Sequence, residues 1–131
     1  MENEQKNKNL LPEIDIEFLD DKCYNFDIEE VGGNLRLILH EFELPEFYLP
    51  RKVDLLIKIP AGYPNASLDM FYTKPEVRLA SNNNRPTTAD VYEPDTPDWQ
   101  RWSRHNAQWR SGVDNLRTYL AAIRAELSKG I

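Results

Sequence analysis

The sequence predicts an α+β domain: a four-stranded antiparallel meander with an N-terminal helix and a C-terminal helix packed on one face of the sheet. Three observations carry this expectation. Apolar residues recur at helical spacing near both ends of the chain, they alternate with polar residues through its middle, and glycines and prolines punctuate the alternating stretches. With 131 residues, 40% of them apolar and 29% charged, the chain holds material for one hydrophobic core.

The elements follow in order. Residues 1–9, MENEQKNKN, place no apolar run behind their lysines and read as a flexible polar tail, not a signal peptide; residues 10–131 form the single domain. Leu11, Ile14, Phe18 and Leu19 mark a short amphipathic helix from about residue 11, with Pro12 in its first turn, where a missing N–H has no helical partner to lose. Tyr24, Phe26 and Ile28 then alternate with Asn25, Asp27 and Glu29, the period of a strand with one buried face. Gly32-Gly33 closes a hairpin, since glycine enters positive φ without steric cost. Leu35, Leu37 and Leu39 continue the alternation on the return strand. After a proline-bearing loop, Glu43 to Pro50, a third strand carries Val53, Leu55, Ile57 and Ile59. Pro60 to Pro64 is a turn, and a fourth extended segment runs from Met70 to Leu79, interrupted by Pro75. Ser81 to Pro97, with three consecutive asparagines and three prolines, is expected to be a long irregular segment of the kind that carries function. Val113, Leu116, Tyr119, Leu120, Ile123 and Leu127 line one face of a closing helix; Ser111 and Asp114 have the spacing of a capping box and Gly130 is a stop.

Charge and cysteine usage narrow the function. The net charge of −6 argues against a partner bound by phosphate neutralisation, so no nucleic acid is expected. The balance is uneven: residues 101 to 131 hold six Lys and Arg against Asp114 and Glu126, a local +4 that leaves −10 for the first hundred residues. That asymmetry fits either a docking face or solvated helix charges. Apolar runs such as Leu55-Leu56-Ile57 fall far short of the roughly 20 residues of a membrane span, so no membrane association and a cytoplasmic location are expected. Cys23, the single cysteine, permits neither an internal disulfide nor a thiolate zinc site, and reads as a structural, buried small hydrophobe. His40 and His105 show no paired ligand spacing; no metal and no other cofactor is expected.

The element order, taken with the strings Ile59-Pro60-Ala61-Gly62-Tyr63-Pro64, Asp69-Met70-Phe71-Tyr72 and Lys74-Pro75-Glu76-Val77-Arg78-Leu79, resembles the ubiquitin-conjugating enzyme fold. Trp99-Gln100-Arg101-Trp102-Ser103-Arg104-His105, followed by Trp109-Arg110-Ser111-Gly112-Val113-Asp114-Asn115-Leu116, is similar to a bacterial branch of that superfamily, prokaryotic family E. The likeness spans roughly residues 10 to 128. It implies a carrier role: a ThiF-type activating enzyme adenylates the C-terminal glycine of a ubiquitin-like protein and passes it to this chain, which transfers it onward. The chain also departs from the superfamily. Counted back from Trp109, the position of the usual cysteine is Arg101, no cysteine lies anywhere in that segment, and the His-Pro-Asn tripeptide is missing.

In the cysteine's absence, Ser103 and His105 are the candidate catalytic pair. At i and i+2 they share one face of an extended segment but diverge on a helix, so a dyad requires Trp99 to Asn106 to be strand or loop. Serine needs a base to take its proton, and an imidazole, with an ordinary pKa near 6.5, is suited to that; the modifier would then be carried as an oxyester. The bland alternative, a turn-capping serine and a histidine packed among tryptophans, stays open. Arg101, Arg104 and Asn84 are candidates for oxyanion or electrostatic support, and Trp99, Trp102 and Arg110 for partner binding, against the default of core packing or solvation. A catalytically silent module that keeps the fold to bind a ubiquitin-like protein or its activating enzyme is the second reading. A serine hydrolase is disfavoured because no G-x-S-x-G elbow is present.

Overall fold

A computed structural model describes residues 10–104 and 109–131. Helix α1, Glu13–Asp21, is followed by strands β1, Phe26–Val31; β2, Asn34–Glu43; β3, Tyr48–Leu49; β4, Lys52–Ile59; β5, Phe71–Lys74; β6, Arg78–Leu79; β7, Val91–Glu93; β8, Thr96–Trp102; and then by helix α2, Leu116–Leu127. The main sheet is antiparallel and six-stranded, in the order β1-β2-β4-β5-β8-β7, while β3 and β6 form a separate pair. The expected four-stranded meander is therefore corrected to six strands. Of the two additional strands, Val91–Glu93 lies within the stretch expected to be irregular and Thr96–Trp102 begins at its end; they form a hairpin, and β8 joins β5 by pairing Phe71 with Trp102 and Tyr72 with Arg101. Proline and asparagine density hid a strand whose alternation begins only after Pro97.

Alternation along the strands sorts side chains onto two faces. Leu37, Ile57, Phe71 and Trp102 share one transverse row and are almost wholly buried. They join Leu19 from α1 and Leu116, Tyr119, Leu120, Ile123 and Leu127 from α2 in one core. Burying such side chains stabilises by roughly 1.5–3 kcal/mol each, the main force holding both helices to this face. The expected hairpin glycines, Gly32 and Gly33, take φ of 60° and 84°.

The caps differ from expectation. Asn115, not Ser111, opens α2: its side chain accepts from the Thr118 N–H while the Thr118 hydroxyl accepts from the Asn115 N–H. Val113 accordingly lies before the helix and is exposed, and Asp114 instead accepts from the Arg110 backbone and guanidinium. Cys23 is exposed, not buried, at a φ of 57° just after α1. No helix among the described residues is long and apolar enough to cross a membrane.

Candidate functional site

The chain from Trp99 to Arg104 is extended: β8 runs to Trp102 and residues 103 and 104 continue as coil. Successive side chains therefore point to opposite faces. Gln100, Trp102 and Arg104 face inward and are buried. Trp99, Arg101 and Ser103 lie on the other side and are each partly exposed. His105 lies outside the described residues, so the geometry of the expected dyad rests on Ser103 and on what holds the chain either side of residues 105–108.

Upstream, the Ser103 N–H donates to the Thr88 carbonyl at 3.0 Å and the Ser103 hydroxyl donates to Met70 Sδ at 3.4 Å. Sulfur is a weak acceptor, so this contact orients the hydroxyl without strongly engaging it. Gln100 fixes the loop that supplies Thr88. Its amide accepts from the Thr73 hydroxyl and the Val77 N–H, and donates to the Val77 and Ala89 carbonyls. Downstream, the Trp109 indole donates to the Pro64 carbonyl at 2.8 Å, its ring packs 6.2 Å from that of Tyr63, and the Ser111 hydroxyl donates to Asn65. Tyr63 is itself anchored: its hydroxyl donates to the buried Asp15 at 2.6 Å and accepts from the Leu116 N–H at the start of α2. Burial raises the Asp15 pKa and outweighs the lowering hydrogen bonds from Tyr63 and Leu116. The Tyr-Pro turn at residues 63–64 and the Trp109 segment are thus one locked unit.

The expected supporting residues divide. Arg104 is 8% exposed; its guanidinium donates to the carbonyls of Thr87, Glu126 and Ile131 and lies 4.9 Å over the Trp102 ring. It ties β8 to the end of α2, which differs from a cation offered to an oxyanion. Trp102 stacks on Phe71 at 5.3 Å, meets Tyr48 edge-on, and donates to the Thr73 hydroxyl. It is a core residue and offers no surface to a partner, against the expectation. Asn84 is exposed in a turn where its N–H donates to the Asn82 side chain and its carbonyl accepts from the Leu79 N–H; no hydrogen bond among the described residues joins it to Ser103. Arg110 is exposed and engaged with Asp114, while Trp99 carries the Lys74 amine 5.6 Å from its ring.

Arg101 leads to a network that the sequence pattern did not announce. On the face opposite the core, its guanidinium sits 3.6 Å from Glu93, which also accepts from the Tyr72 hydroxyl and from Lys58 at 3.2 Å. Asp95 reaches Lys58 at 3.1 Å and Arg36 at 3.3 Å. Arg36 is on β2, which β4 and β5 separate from β8, so the tip of the β7–β8 hairpin curls back over this face. Burial pushes the Glu93 pKa up, but hydrogen bonds from Tyr72 and Lys58 and the charges of Lys58 and Arg101 prevail and hold it below the usual range. The same pairing, with burial leading, drives Tyr72 well above the ordinary tyrosine value. The available signal was parity: Tyr72, Arg101 and Ser103 share one face once β5 and β8 are known to pair.

Among the described residues, no group of three or more His, Cys, Asp or Glu is placed to hold a metal ion. Residues 11–130 match the family model described as Prokaryotic E2 family E. Neither a curated protein nor a solved structure matches the chain.

Proposed function

Because the chain belongs to prokaryotic E2 family E, we propose that its conjugating-enzyme-like role is that of a carrier. It accepts the activated C-terminal glycine of a ubiquitin-like protein from a ThiF-type activating enzyme, with Ser103 as nucleophile and His105 as base. In the transfer step the Ser103 Oγ attacks the thioester carbonyl held on the activating enzyme, its proton passes to the imidazole, and the enzyme's thiolate leaves, so the modifier ends as an oxyester on this chain. The carrier works in the cytoplasm, where ATP for adenylation is available, and residues 10–131 act as one domain.

The observation that carries this proposal is the setting of Ser103. Its backbone is held by Thr88 while its hydroxyl meets only a thioether among the described residues, on a segment that is extended through Arg104, as far as the described residues run toward His105. Cys23, the chain's single thiol, follows α1 and precedes β1, at the opposite sheet edge from β8, which favours the hydroxyl over the thiol.

A second reading, a catalytically silent module that binds the modifier or its activating enzyme, draws on a different observation. Arg104 is engaged with three carbonyls and Arg101 with Glu93, which leaves these two cations committed within the fold instead of aimed at a reacting carbonyl.

One reconstitution separates the two. The protein is mixed with ATP, an activating enzyme of this pathway and its ubiquitin-like protein, and the products are resolved by denaturing electrophoresis and mass spectrometry. An adduct that survives thiol reductant, is cleaved by strong base and is lost in Ser103→Ala is the expected result. An adduct lost with reductant and in Cys23→Ser overturns the site assignment, and partner binding with no adduct establishes the silent module.

A further inference from the structure

The flank of α2 that borders α1 and residues 43–51 is not used by the chemistry proposed above, and two hollows open along it. One, about 380 Å³, lies between the helices and is lined by Phe18, Lys22, Tyr24, Arg117, Leu120 and Arg124, with Ala121 exposed on its wall. The other, about 230 Å³, lies beside Leu44, Pro45, Arg51 and Leu127, with Glu43 at its rim. Arg124 lines both, so the two hollows adjoin at this residue in a groove along the helix between Arg117 and Leu127. We infer that this groove is a docking surface for an acidic segment of a partner protein that carries an apolar side chain between its carboxylates.

Charge complementarity names the occupant. Four cations, Lys22, Arg51, Arg117 and Arg124, border the groove against the single carboxylate of Glu43, on a chain whose overall charge is −6. Lys22 and Arg117 are exposed and make no ion pair with any described residue. Arg124 is set in place: it donates to the Tyr24 hydroxyl at 2.7 Å and lies 4.6 Å over the Phe42 ring. One arginine is therefore preorganised, and the two cations beside it are ion-paired to no described residue. The lining between them is apolar, formed by the Phe18–Tyr24 ring pair, Leu120 and Ala121. Arg117 and Arg124 are two helical turns apart, about 10 Å along the axis, a span that about three residues of extended peptide cover. A nucleic acid fits worse, because the −10 carried by the first hundred residues repels a continuous phosphate backbone while tolerating a short acidic peptide.

The test uses the whole protein and a fluorescein-labelled peptide, Gly-Glu-Asp-Leu-Glu-Phe-Glu-Asp-Gly, followed by fluorescence anisotropy. Saturable binding is expected, weakening with added salt and weakened by about tenfold or more in the double charge reversal Lys22→Glu, Arg117→Glu. Ala121→Trp, which fills the groove without altering charge, is expected to weaken binding similarly, and replacing Leu and Phe of the peptide by Gly is expected to reduce it. Ser103→Ala leaves binding unchanged, which keeps this inference separate from the transfer chemistry. Binding that is equal in the charge-reversed and filled-groove variants, no saturable binding, or tighter capture of a single-stranded oligonucleotide of equal charge overturns it.

Discussion

The two faces of β8 and of residues 103–104 that continue it are built from alternate residues of one extended segment, yet they do different work. Gln100, Trp102 and Arg104 point inward, where Gln100 makes four hydrogen bonds, Trp102 stacks in the core and Arg104 closes three carbonyls. Trp99, Arg101 and Ser103 point outward to a lysine-capped ring, a charged network and a thioether. The inward face fixes where the strand lies, and that fixity is what positions a hydroxyl on the other side. A site on such a strand inherits its precision from residues that never touch the substrate.

The contrast can be broken most forcefully at Trp102. Trp102→Ala removes a fully buried indole together with its hydrogen bond to Thr73 and is expected to lower stability by about 3–5 kcal/mol, read from urea unfolding midpoints. A loss below about 1 kcal/mol would show that the ring is not the pillar of the inner face. Arg104→Ala comes next. It removes the guanidinium's hydrogen bonds to the Thr87, Glu126 and Ile131 backbone oxygens, at about 1.5–3 kcal/mol for bonds made by a charged group. Hydrogen exchange should loosen first at the end of α2, and an unchanged α2 would place the arginine's role elsewhere. Ser103→Ala, across the strand, is expected to shift stability by no more than about 0.5 kcal/mol while abolishing the adduct. If instead it destabilises strongly, the hydroxyl belongs to the architecture and the division between faces fails at the residue where it matters.

Legibility in the sequence follows the same division. The core rows were readable because apolar alternation in Leu35 to Leu39 and Val53 to Ile59 reports burial directly. The second hairpin was not, because Pro94 and Pro97 punctuate it and its apolar residues are few; β8 is a strand by virtue of tertiary pairing with β5. The site was half legible. The segment around Ser103 declared itself by its tryptophans and is extended up to Arg104, but the engagement of Arg104 in the fold depends on partners 17 to 27 residues away, and no local spacing encodes that. Asn115 in place of Ser111 as the α2 cap is a milder case, since both pairs fit the capping-box pattern and only the path of the Trp109 segment across Tyr63 and Pro64 decides between them.

The smallest expected effect lies farthest from β8, at the other end of the outer face. His40 bridges Asp27 at 2.7 Å and Asp54 at 3.2 Å, linking β1 and β4 across β2. The Asp27 hydrogen bond raises the His40 pKa most, burial opposes it, and Asp54 adds to the rise. Folding therefore favours the protonated ring. That stabilisation is whole below about pH 6.5, the value of an unfolded histidine, and is lost as pH climbs through the higher folded pKa. Unfolding midpoints measured on either side of that window should fall as pH rises in the natural sequence and fall less in His40→Gln, with Asp27→Asn behaving like His40→Gln. Equal pH dependence in all three would mean that the bridge adds nothing. The outer face would then owe its order to the Glu93 and Asp95 network alone, and the curl of the β7–β8 tip over Arg36 would be the feature that holds it.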